Sequence, residues 1–147
     1  MRKVELTITI NVKPARIIEA FTDPVLLNAW WGVERSLIEL HPGGCYTLAW
    51  NITDKGFGFV STGIIKSYDP NGLLEIEKLV YLNPEKAILG PMQFTVKVVE
   101  KDGSSEMYLC QQGYQAGGDW DWYYEAVKEA WPQVGKTLKS FLETNEG

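Results

Sequence analysis

Side chains that could carry out acid–base, nucleophilic or metal chemistry are scarce in this sequence. His41 is its single histidine, and Cys45 and Cys110 are its two cysteines. A zinc centre would need several histidines or a CxxC pair, and the sequence contains neither. His41 precedes Pro42 in an expected exposed turn, and no carboxylate is expected to orient it as a general base. The sequence therefore predicts no catalytic residue, no metal site and no cofactor, which favours binding over catalysis.

Two longer polar side chains could still contribute to a site. Gln111 is in phase with the apolar residues Met107 and Leu109, so it should face the interior side of its strand. There it could orient a carbonyl or hydroxyl group of a ligand, or bond to a neighbouring strand or a buried water. Lys78 is in phase with Ile76, and it either reaches the interior as a cation or marks a β-bulge that turns it outward.

The first third of the chain predicts one strand and two short helices. Apolar residues alternate with polar ones over residues 4–12, which is typical of a half-buried strand. Pro14 then allows a helix to begin, and this helix should continue through Phe21. Asp23 and Pro24 supply an N-cap and a first helical residue for a second helix, which should run through Trp30.

The middle of the chain predicts six further strands in an antiparallel meander, because short extended segments alternate with turns rich in Gly, Pro, Asn and Asp. Their approximate cores are residues 33–40, 45–51, 59–68, 73–82, 92–101 and 105–112. Ile64 and Ile65 break the alternation of the third segment, so the inner and outer sides of that strand stay unassigned.

The last third of the chain predicts one long amphipathic helix. From Trp120 to Phe141 its apolar residues recur at steps of three and four. Asp119 or Asp121 could cap its start. Pro132 falls inside it, and an interior proline costs about 3 kcal/mol, so we expect a kink or a restart of the helix near this residue.

Composition limits the classes of function. The 147 residues carry a net charge of −5, which argues against binding to a nucleic-acid backbone. The length predicts one domain, residues 1–147, whose core needs neither a metal nor a disulfide. The two distant cysteines are expected to be free thiols, and no leader or long apolar stretch is found. We therefore expect a cytoplasmic protein without a membrane span.

Four segments, taken in order, resemble those of one known family. They are Thr22-Asp23-Pro24 with Leu26, Leu27 and Trp30; residues 40–46 around Pro42-Gly43-Gly44; residues 63–70 with Leu74; and Trp131-Pro132 with Val134, Leu138 and Leu142. On these residues the chain resembles the START-like or Bet v-type (SRPBCC) superfamily. Within it, the chain is similar to the bacterial homologues of the activator of heat shock protein ATPase.

The resemblance implies an α+β helix-grip fold. In this fold a curved seven-stranded antiparallel sheet surrounds a long C-terminal helix, two short helices follow strand 1, and a cavity usually lies between sheet and helix. Two residues depart from the pattern. Ala130 replaces the glycine that usually precedes Trp131, and Gly135 stands where a better helix former is expected.

Strand alternation and helical spacing then assign side chains to the walls of such a cavity, which would be mostly apolar and aromatic. The residues expected to line it are Trp30, Tyr46, Leu48, Trp50, Phe94, Val96, Leu109, Gln111, Tyr114, Trp120, Tyr123, Val127 and Trp131. Each aromatic residue could instead be ordinary core. Because neighbours on a helix cannot share a face, only one of Trp30 and Trp31 should pack in the core, and the other should lie at the surface or the cavity mouth.

Three functions remain open. The apolar walls and the scarcity of catalytic groups favour a non-catalytic binding protein for a small hydrophobic or aromatic molecule. An enzyme of the polyketide cyclase or aromatase kind would need a connected polar set deep in the cavity, which the sequence does not reveal. A chaperone-linked interaction module, implied by the family, would use its exposed surface to contact a protein partner or a second copy of the chain.

Overall fold

The structure, a computed structural model, describes residues 2–144. Seven strands form one curved, open antiparallel sheet in the order β1-β7-β6-β5-β4-β3-β2, and the long C-terminal helix packs against it. The elements are β1 (Arg2–Ile10), α1 (Pro14–Thr22), α2 (Pro24–Trp31), β2 (Arg35–Ile38), β3 (Cys45–Trp50), β4 (Phe59–Asp69), β5 (Leu73–Leu82), β6 (Leu89–Lys101), β7 (Ser104–Tyr114) and α3 (Gly118–Thr144). The predicted α+β helix-grip fold, with two short helices after strand 1, is confirmed.

The two short helices begin where the capping signals predict. Pro14 and Pro24 occupy the first turns of α1 and α2, where a missing N–H group costs no helical hydrogen bond. The carboxylate of Asp23 accepts hydrogen bonds from the backbone N–H groups of Val25 at 2.8 Å and Leu26 at 3.3 Å. This cap fixes the start of α2, whose C-terminal end reaches the sheet.

Two irregularities in the sheet determine which side chains of β4 and β5 face the interior, a question that the alternation of the sequence left open. Lys78 adopts a φ of 52° at a register shift between β5 and β6, so it is exposed on a bulge and does not reach the interior. A second shift lies around Gly63 in β4, after which Ile65 is fully buried and Ile64 only partly. A Cβ atom on Gly63 would lie 2.6 Å from Ile76, so only glycine lets β4 and β5 approach this closely.

The C-terminal helix α3 is continuous across Pro132, so the helix does not restart there. Gly135 is buried against β1, where an added Cβ atom would lie 2.6 Å from Cδ2 of Leu6. The glycine that is unfavourable for a helix therefore allows α3 to lie close to the sheet.

Some strand boundaries differ from the predicted ones. β1 ends at Ile10, and the buried Val12 follows outside the strand. β2 is shorter than predicted, whereas β7 continues to Tyr114 and β6 begins earlier, at Leu89. Strand ends depend on the partner strands, which local sequence patterns do not specify.

Of the residues with the most reactive side chains, His41 and Cys45 both contact the carboxylate of Glu39, whereas Cys110 is buried in β7. His41 is exposed in the turn before β3, and its Nε2 lies 3.9 Å from Oε2 of Glu39, so the expectation that no carboxylate lies near it is wrong. Cys45 and Cys110 are free. Within residues 2–144, no cluster of His, Cys, Asp and Glu could hold a metal ion. No helix of this described range is long and apolar enough to cross a bilayer.

Candidate ligand cavity

A cavity of about 480 Å³ lies between the inner face of the sheet and α3. Strands β3 to β7 form one wall, α3 forms the other, and the end of α2 contributes a single tryptophan. The lining residues are Trp31, Tyr46, Leu48, Trp50, Phe59, Ser61, Leu79, Tyr81, Phe94, Gln111, Trp122, Tyr123, Ala126, Val127, Ala130, Trp131 and Val134. Among these described residues none carries a charge, so the cavity presents a neutral surface.

Five aromatic rings, which we call the aromatic arc, form a continuous series around the cavity from α2 across the sheet to α3. Successive ring centroids lie 5.3, 5.0, 6.3 and 4.4 Å apart in the order Trp31, Trp50, Phe59, Tyr81 and Tyr123. Ring pairs at such separations contribute about 0.5–1.5 kcal/mol beyond their buried area. The arc therefore holds its own rings in place and offers aromatic surface to a molecule in the cavity.

Several polar atoms near the cavity are already bonded to the backbone. The hydroxyl of Tyr46 donates to the carbonyl oxygen of Phe21 at 2.6 Å, and Nε1 of Trp50 donates to the carbonyl oxygen of Trp31 at 3.1 Å. Burial raises the pKa of Tyr46 well above its ordinary value, so this hydroxyl stays protonated and keeps its bond. These groups position rings and have little capacity left for a ligand.

One hydrogen-bonded couple, which we call the polar pair, connects the two walls. Gln111 on β7 donates from Nε2 to the hydroxyl oxygen of Tyr123 on α3 at 2.9 Å, and to Sδ of Met92 at 3.5 Å. Gln111 is 5% exposed and Tyr123 is 7% exposed. Burial raises the pKa of Tyr123 to about 12, although the bond from Gln111 opposes the rise. The phenol is therefore neutral near pH 7.

The β5–β6 loop is tied to the first turn of α3 beside the cavity. Trp122 lines the cavity but is 41% exposed, and Nζ of Lys86 lies 4.4 Å from its ring centroid. The carboxylate of Asp119 accepts a hydrogen bond from the backbone N–H of Ala87 at 2.8 Å. Both contacts join the loop to the helix at the exposed end of the lining.

The first turn of α3 is also joined to β1. Asp121 pairs with the guanidinium of Arg2 at 3.0 Å and accepts a hydrogen bond from the backbone N–H of Gly117 at 3.0 Å. This N–H group, helped by Arg2, holds the pKa of Asp121 below its usual value. The contacts fix the helix end that carries Trp122 and Tyr123.

Residues 11–143 match the sequence profile of the family described as Activator of Hsp90 ATPase homolog 1-like protein. The chain belongs to this family. The match extends from before α1 into the last turns of α3, so it includes every element that lines the cavity. The START-like relationship that the sequence motifs predict is confirmed. No curated protein sequence matches the chain.

Solved structures of low sequence identity share the fold of this family member. A protein from Mesorhizobium loti has a TM-score of 0.77 at 18% identity, with 98% of each chain covered. The Aha1 dimer from Colwellia psychrerythraea has a TM-score of 0.73 at 15% identity, with 100% of each chain covered. CalU16 from Micromonospora echinospora has a TM-score of 0.69 at 16% identity over 96% of this chain and 76% of its own. At such identities the likeness shows the fold alone.

The cavity brings together eight of the thirteen residues that the sequence predicts to line it. These eight are Tyr46, Leu48, Trp50, Phe94, Gln111, Tyr123, Val127 and Trp131. The other five, Trp30, Val96, Leu109, Tyr114 and Trp120, lie outside the lining.

Trp30 lies one layer behind the cavity wall. Its Nε1 donates to the carbonyl oxygen of Ala20 at 2.8 Å, and its ring stacks on Trp31 with centroids 4.9 Å apart. Trp31, and not Trp30, therefore lines the cavity. One of the two neighbours packs in the core and the other lies at the cavity, as helical geometry requires.

The remaining four residues belong to the core on either side of the cavity. Val96 and Leu109 face each other across β6 and β7 and are buried there. Tyr114 and Trp120 pack edge to face at 6.4 Å, and Tyr114 also lies 5.9 Å from the ring of Tyr123. These two rings support the outer side of Tyr123 rather than the cavity surface.

Nine lining residues were not assigned from the sequence, namely Trp31, Phe59, Ser61, Leu79, Tyr81, Trp122, Ala126, Ala130 and Val134. Leu79 and Tyr81 follow the bulge at Lys78, which reverses the inward phase of β5. Ala126 and Ala130 are four residues apart on one helix face, and their helical spacing could have identified them. Their small side chains leave space beside α3.

Proposed function

We propose that the protein binds small, uncharged hydrophobic or aromatic molecules in the cavity between the sheet and α3, without transforming them. The observation that carries the proposal is a cavity of about 480 Å³ whose lining is neutral and largely aromatic. Small-molecule sites usually measure about 300–1,000 Å³. An engineered cavity of about 150 Å³ already holds benzene, so this cavity has room for two or three fused rings.

Apolar burial supplies the free energy of binding in this proposal. Each Å² of apolar ligand surface removed from water contributes about 25 cal/mol. Contacts with rings of the aromatic arc add about 0.5–1.5 kcal/mol per ring pair. A charged ligand would lose its hydration without gaining a partner, because no described lining residue carries a charge. Uncharged ligands are therefore favoured.

Binding is favoured over catalysis by the chemistry of the polar pair. General acid–base catalysis works best with a group whose pKa lies near the working pH. Burial raises the pKa of Tyr123 to about 12, and the amide of Gln111 does not titrate. A polyketide cyclase-like enzyme would need a proton-transfer group that the described lining residues do not supply.

Isothermal titration calorimetry with naphthalene tests the proposal. The protein is titrated into dissolved naphthalene, because the low solubility of the hydrocarbon prevents the reverse arrangement. We expect a saturable heat and a negative heat-capacity change, which is the mark of apolar burial. Wild-type protein that gives no saturable heat would contradict the proposal.

Variants that narrow the cavity provide the control. Ala126→Phe and Ala130→Phe place rings in the lining, so each should weaken naphthalene binding at least about tenfold through lost volume. Ala116→Phe makes the same change at an exposed position outside the lining and should leave binding intact. Urea unfolding verifies that all three variants are folded. Equal affinity for all of them would place the binding site elsewhere.

A second candidate function, contact with a protein partner, is favoured by the family, which is described by the activation of the Hsp90 ATPase. Such contact would use exposed apolar surface. Leu37 on the edge strand β2 is 64% exposed, and an edge strand offers unpaired backbone groups. An unchanged rate of ATP hydrolysis by Hsp90 on addition of the protein would contradict the chaperone-linked function.

A homodimer is the assembly to test first, because the Colwellia psychrerythraea Aha1 structure is a dimer. Light scattering on the purified protein should then give twice the chain mass of 16.6 kDa. A mass equal to one chain at micromolar concentrations would contradict dimer formation.

We also propose a cytoplasmic location. Both Cys45 and Cys110 are free thiols, which fits a reducing compartment. Cell fractionation should recover the protein with cytoplasmic markers, and recovery with membranes or secreted material would contradict this location.

A further inference from the structure

The polar pair has hydrogen-bonding capacity that the protein does not use. The Nε2 group of Gln111 donates to the hydroxyl oxygen of Tyr123 and to Sδ of Met92. No described residue donates to Oε1 of Gln111, and no residue of this range accepts a hydrogen bond from the hydroxyl of Tyr123. One acceptor and one donor are thus left over at the surface of the cavity, where a ligand can pair with them.

These two unused functions lie close together. Gln111 and Tyr123 are already joined by a bond of 2.9 Å, so the free amide oxygen and the free hydroxyl hydrogen belong to adjacent groups. A single small group on a ligand can reach both. By contrast, the hydroxyl of Tyr46 in the same cavity is bonded to the backbone and offers nothing comparable.

The polar pair also lies at the end of the aromatic arc. Tyr123 is the last ring of the arc and stacks on Tyr81 with centroids 4.4 Å apart. A flat ring system that packs along the arc would direct a substituent at its edge toward Gln111. The rings of the arc and the polar pair therefore follow one another around the cavity, so that one ligand can contact both.

We infer that the polar pair recognises a hydroxyl group on an aromatic ring, so that the ligand is a neutral phenol-type molecule of two or three rings. The ligand hydroxyl donates to Oε1 of Gln111, and its oxygen accepts from the hydroxyl of Tyr123. This inference rests on the proposed binding function and adds the chemical class of the ligand.

Related substituents satisfy the polar pair less well. An ether or ketone oxygen accepts from Tyr123 but leaves Oε1 of Gln111 without a partner, and a hydrocarbon leaves both groups without one. A carboxylate can accept from Tyr123 but faces Oε1 of Gln111 with like partial charge, and the described lining residues supply no cation to pair with it. A hydroxyl group is thus preferred over all three.

A matched series of two-ring compounds tests the inference by calorimetry with the intact protein. The series consists of naphthalene, methoxynaphthalene, naphthol and naphthoate, which share one ring system and differ in the substituent. We expect naphthol to bind about tenfold more tightly than naphthalene, since two net hydrogen bonds are gained. Methoxynaphthalene should fall between them, and naphthoate should bind most weakly.

Two variants remove the polar functions and two matched variants serve as controls. Gln111→Leu and Tyr123→Phe should each lower the ratio of naphthol affinity to naphthalene affinity severalfold. Gln112→Leu makes the same change at the next residue, whose amide bonds to Gln93 outside the cavity. Tyr108→Phe removes a hydroxyl that bonds to Glu5, also outside the lining. Both controls should keep the full preference.

The outcomes separate the two proposals. Equal affinity of wild-type protein for naphthol and naphthalene would overturn the recognition of hydroxyl groups but leave apolar binding intact. The same conclusion follows if Gln111→Leu and Tyr123→Phe keep the full preference for naphthol. Failure of all four compounds to bind would contradict the binding function, and the inference would fall with it. If Gln111→Leu does not fold, Tyr123→Phe and the compound series decide the question.

Discussion

A Cβ atom on Gly135 of α3 would lie 2.6 Å from Cδ2 of Leu6 on the edge strand β1, so the helix and the strand meet where one of them has no side chain. The next nearest atoms, also from apolar side chains of β1, would be 3.7 Å away. The contact is therefore tight at a single point. It holds one end of the wall that α3 provides for the cavity.

The effect of a substitution at Gly135 on stability should depend on the size of the new side chain. Gly135→Val should lower the free energy of unfolding by about 1–3 kcal/mol, because a branched side chain overpacks the contact with Leu6. Gly135→Ala should change it by less than about 1 kcal/mol, since the gain in helix propensity offsets a small movement of the Leu6 methyl group. Urea denaturation measures both. Lys136→Val at the exposed neighbouring position is the matched control, and an equal effect of the two valines would contradict the close contact.

Trp30 and Trp31 should respond differently to the same substitution. Trp30→Phe removes the buried hydrogen bond to Ala20 and should lower the free energy of unfolding by about 1–3 kcal/mol with little effect on ligand affinity. Trp31→Phe should cost less stability but weaken naphthalene binding, because Trp31 belongs to the lining. Urea unfolding and calorimetry on the two variants test this. If Trp30→Phe lost more naphthalene affinity than Trp31→Phe, the assignment of Trp31 to the lining and Trp30 to the core would be wrong.

Stability should decrease at high pH because of buried tyrosines. Burial raises the pKa of Tyr123 from 10.0 to about 12. When folding raises the pKa of a tyrosine, the tyrosine stabilises the folded protein fully at pH values below its pKa in the unfolded chain. This contribution is lost as the pH rises through its pKa in the folded protein. Burial shifts the pKa values of Tyr46 and Tyr114 in the same direction. The free energy of unfolding should therefore fall as the pH rises from about 10 to about 12.

Urea denaturation at a series of alkaline pH values measures this fall. Tyr123→Phe removes one of the titrating groups, so its stability should decline less steeply than that of the wild-type protein. If the free energy of unfolding declined equally with pH in the two proteins, the Tyr123 hydroxyl would not be buried as the structure shows.

The hydrogen bond between Asp119 and the backbone N–H of Ala87 should limit the opening of the β5–β6 loop. Asp119→Ala removes the acceptor, so the amide hydrogen of Ala87 should exchange faster with solvent. Because the loop lies beside Trp122 at the exposed end of the lining, the dissociation rate of a bound ligand should rise as well. Hydrogen exchange measured by NMR and stopped-flow kinetics test the two effects.

Asp119→Asn is the matched control for this change. It keeps an oxygen that can accept from Ala87 but removes the charge at the start of α3, which is worth about 0.3–1 kcal/mol. Slow exchange in Asp119→Asn and fast exchange in Asp119→Ala would assign the effect to the hydrogen bond. Slow exchange in both variants would contradict the role of Asp119.

The fold and half of the cavity follow from periodic patterns in the sequence. Alternation in β3, β6 and β7 places Tyr46, Phe94 and Gln111 toward the interior, and the structure agrees. Helical spacing does the same for Tyr123 and Trp131 on α3. These elements have regular geometry across the cavity, so local sequence is sufficient to orient their side chains.

The remaining part of the lining depends on irregular geometry. In β5 the bulge at Lys78 changes the phase, so Leu79 and Tyr81 face inward although simple alternation does not place them there. A bulge arises from the register with both neighbouring strands, which a single strand does not encode. The short helix α2 likewise offers too few turns to decide whether Trp30 or Trp31 faces the cavity.

The stacked indoles of Trp30 and Trp31 form a pair of chromophores beside the cavity. Their centroids are 4.9 Å apart and their planes differ by 14°. Two chromophores at this separation couple their electronic transitions, and the coupled bands can carry opposite signs in circular dichroism. Since only Trp31 of this couple lines the cavity, a molecule bound there would change the surroundings of one indole and not those of the other. The binding that we propose could therefore be followed by circular dichroism without an added label.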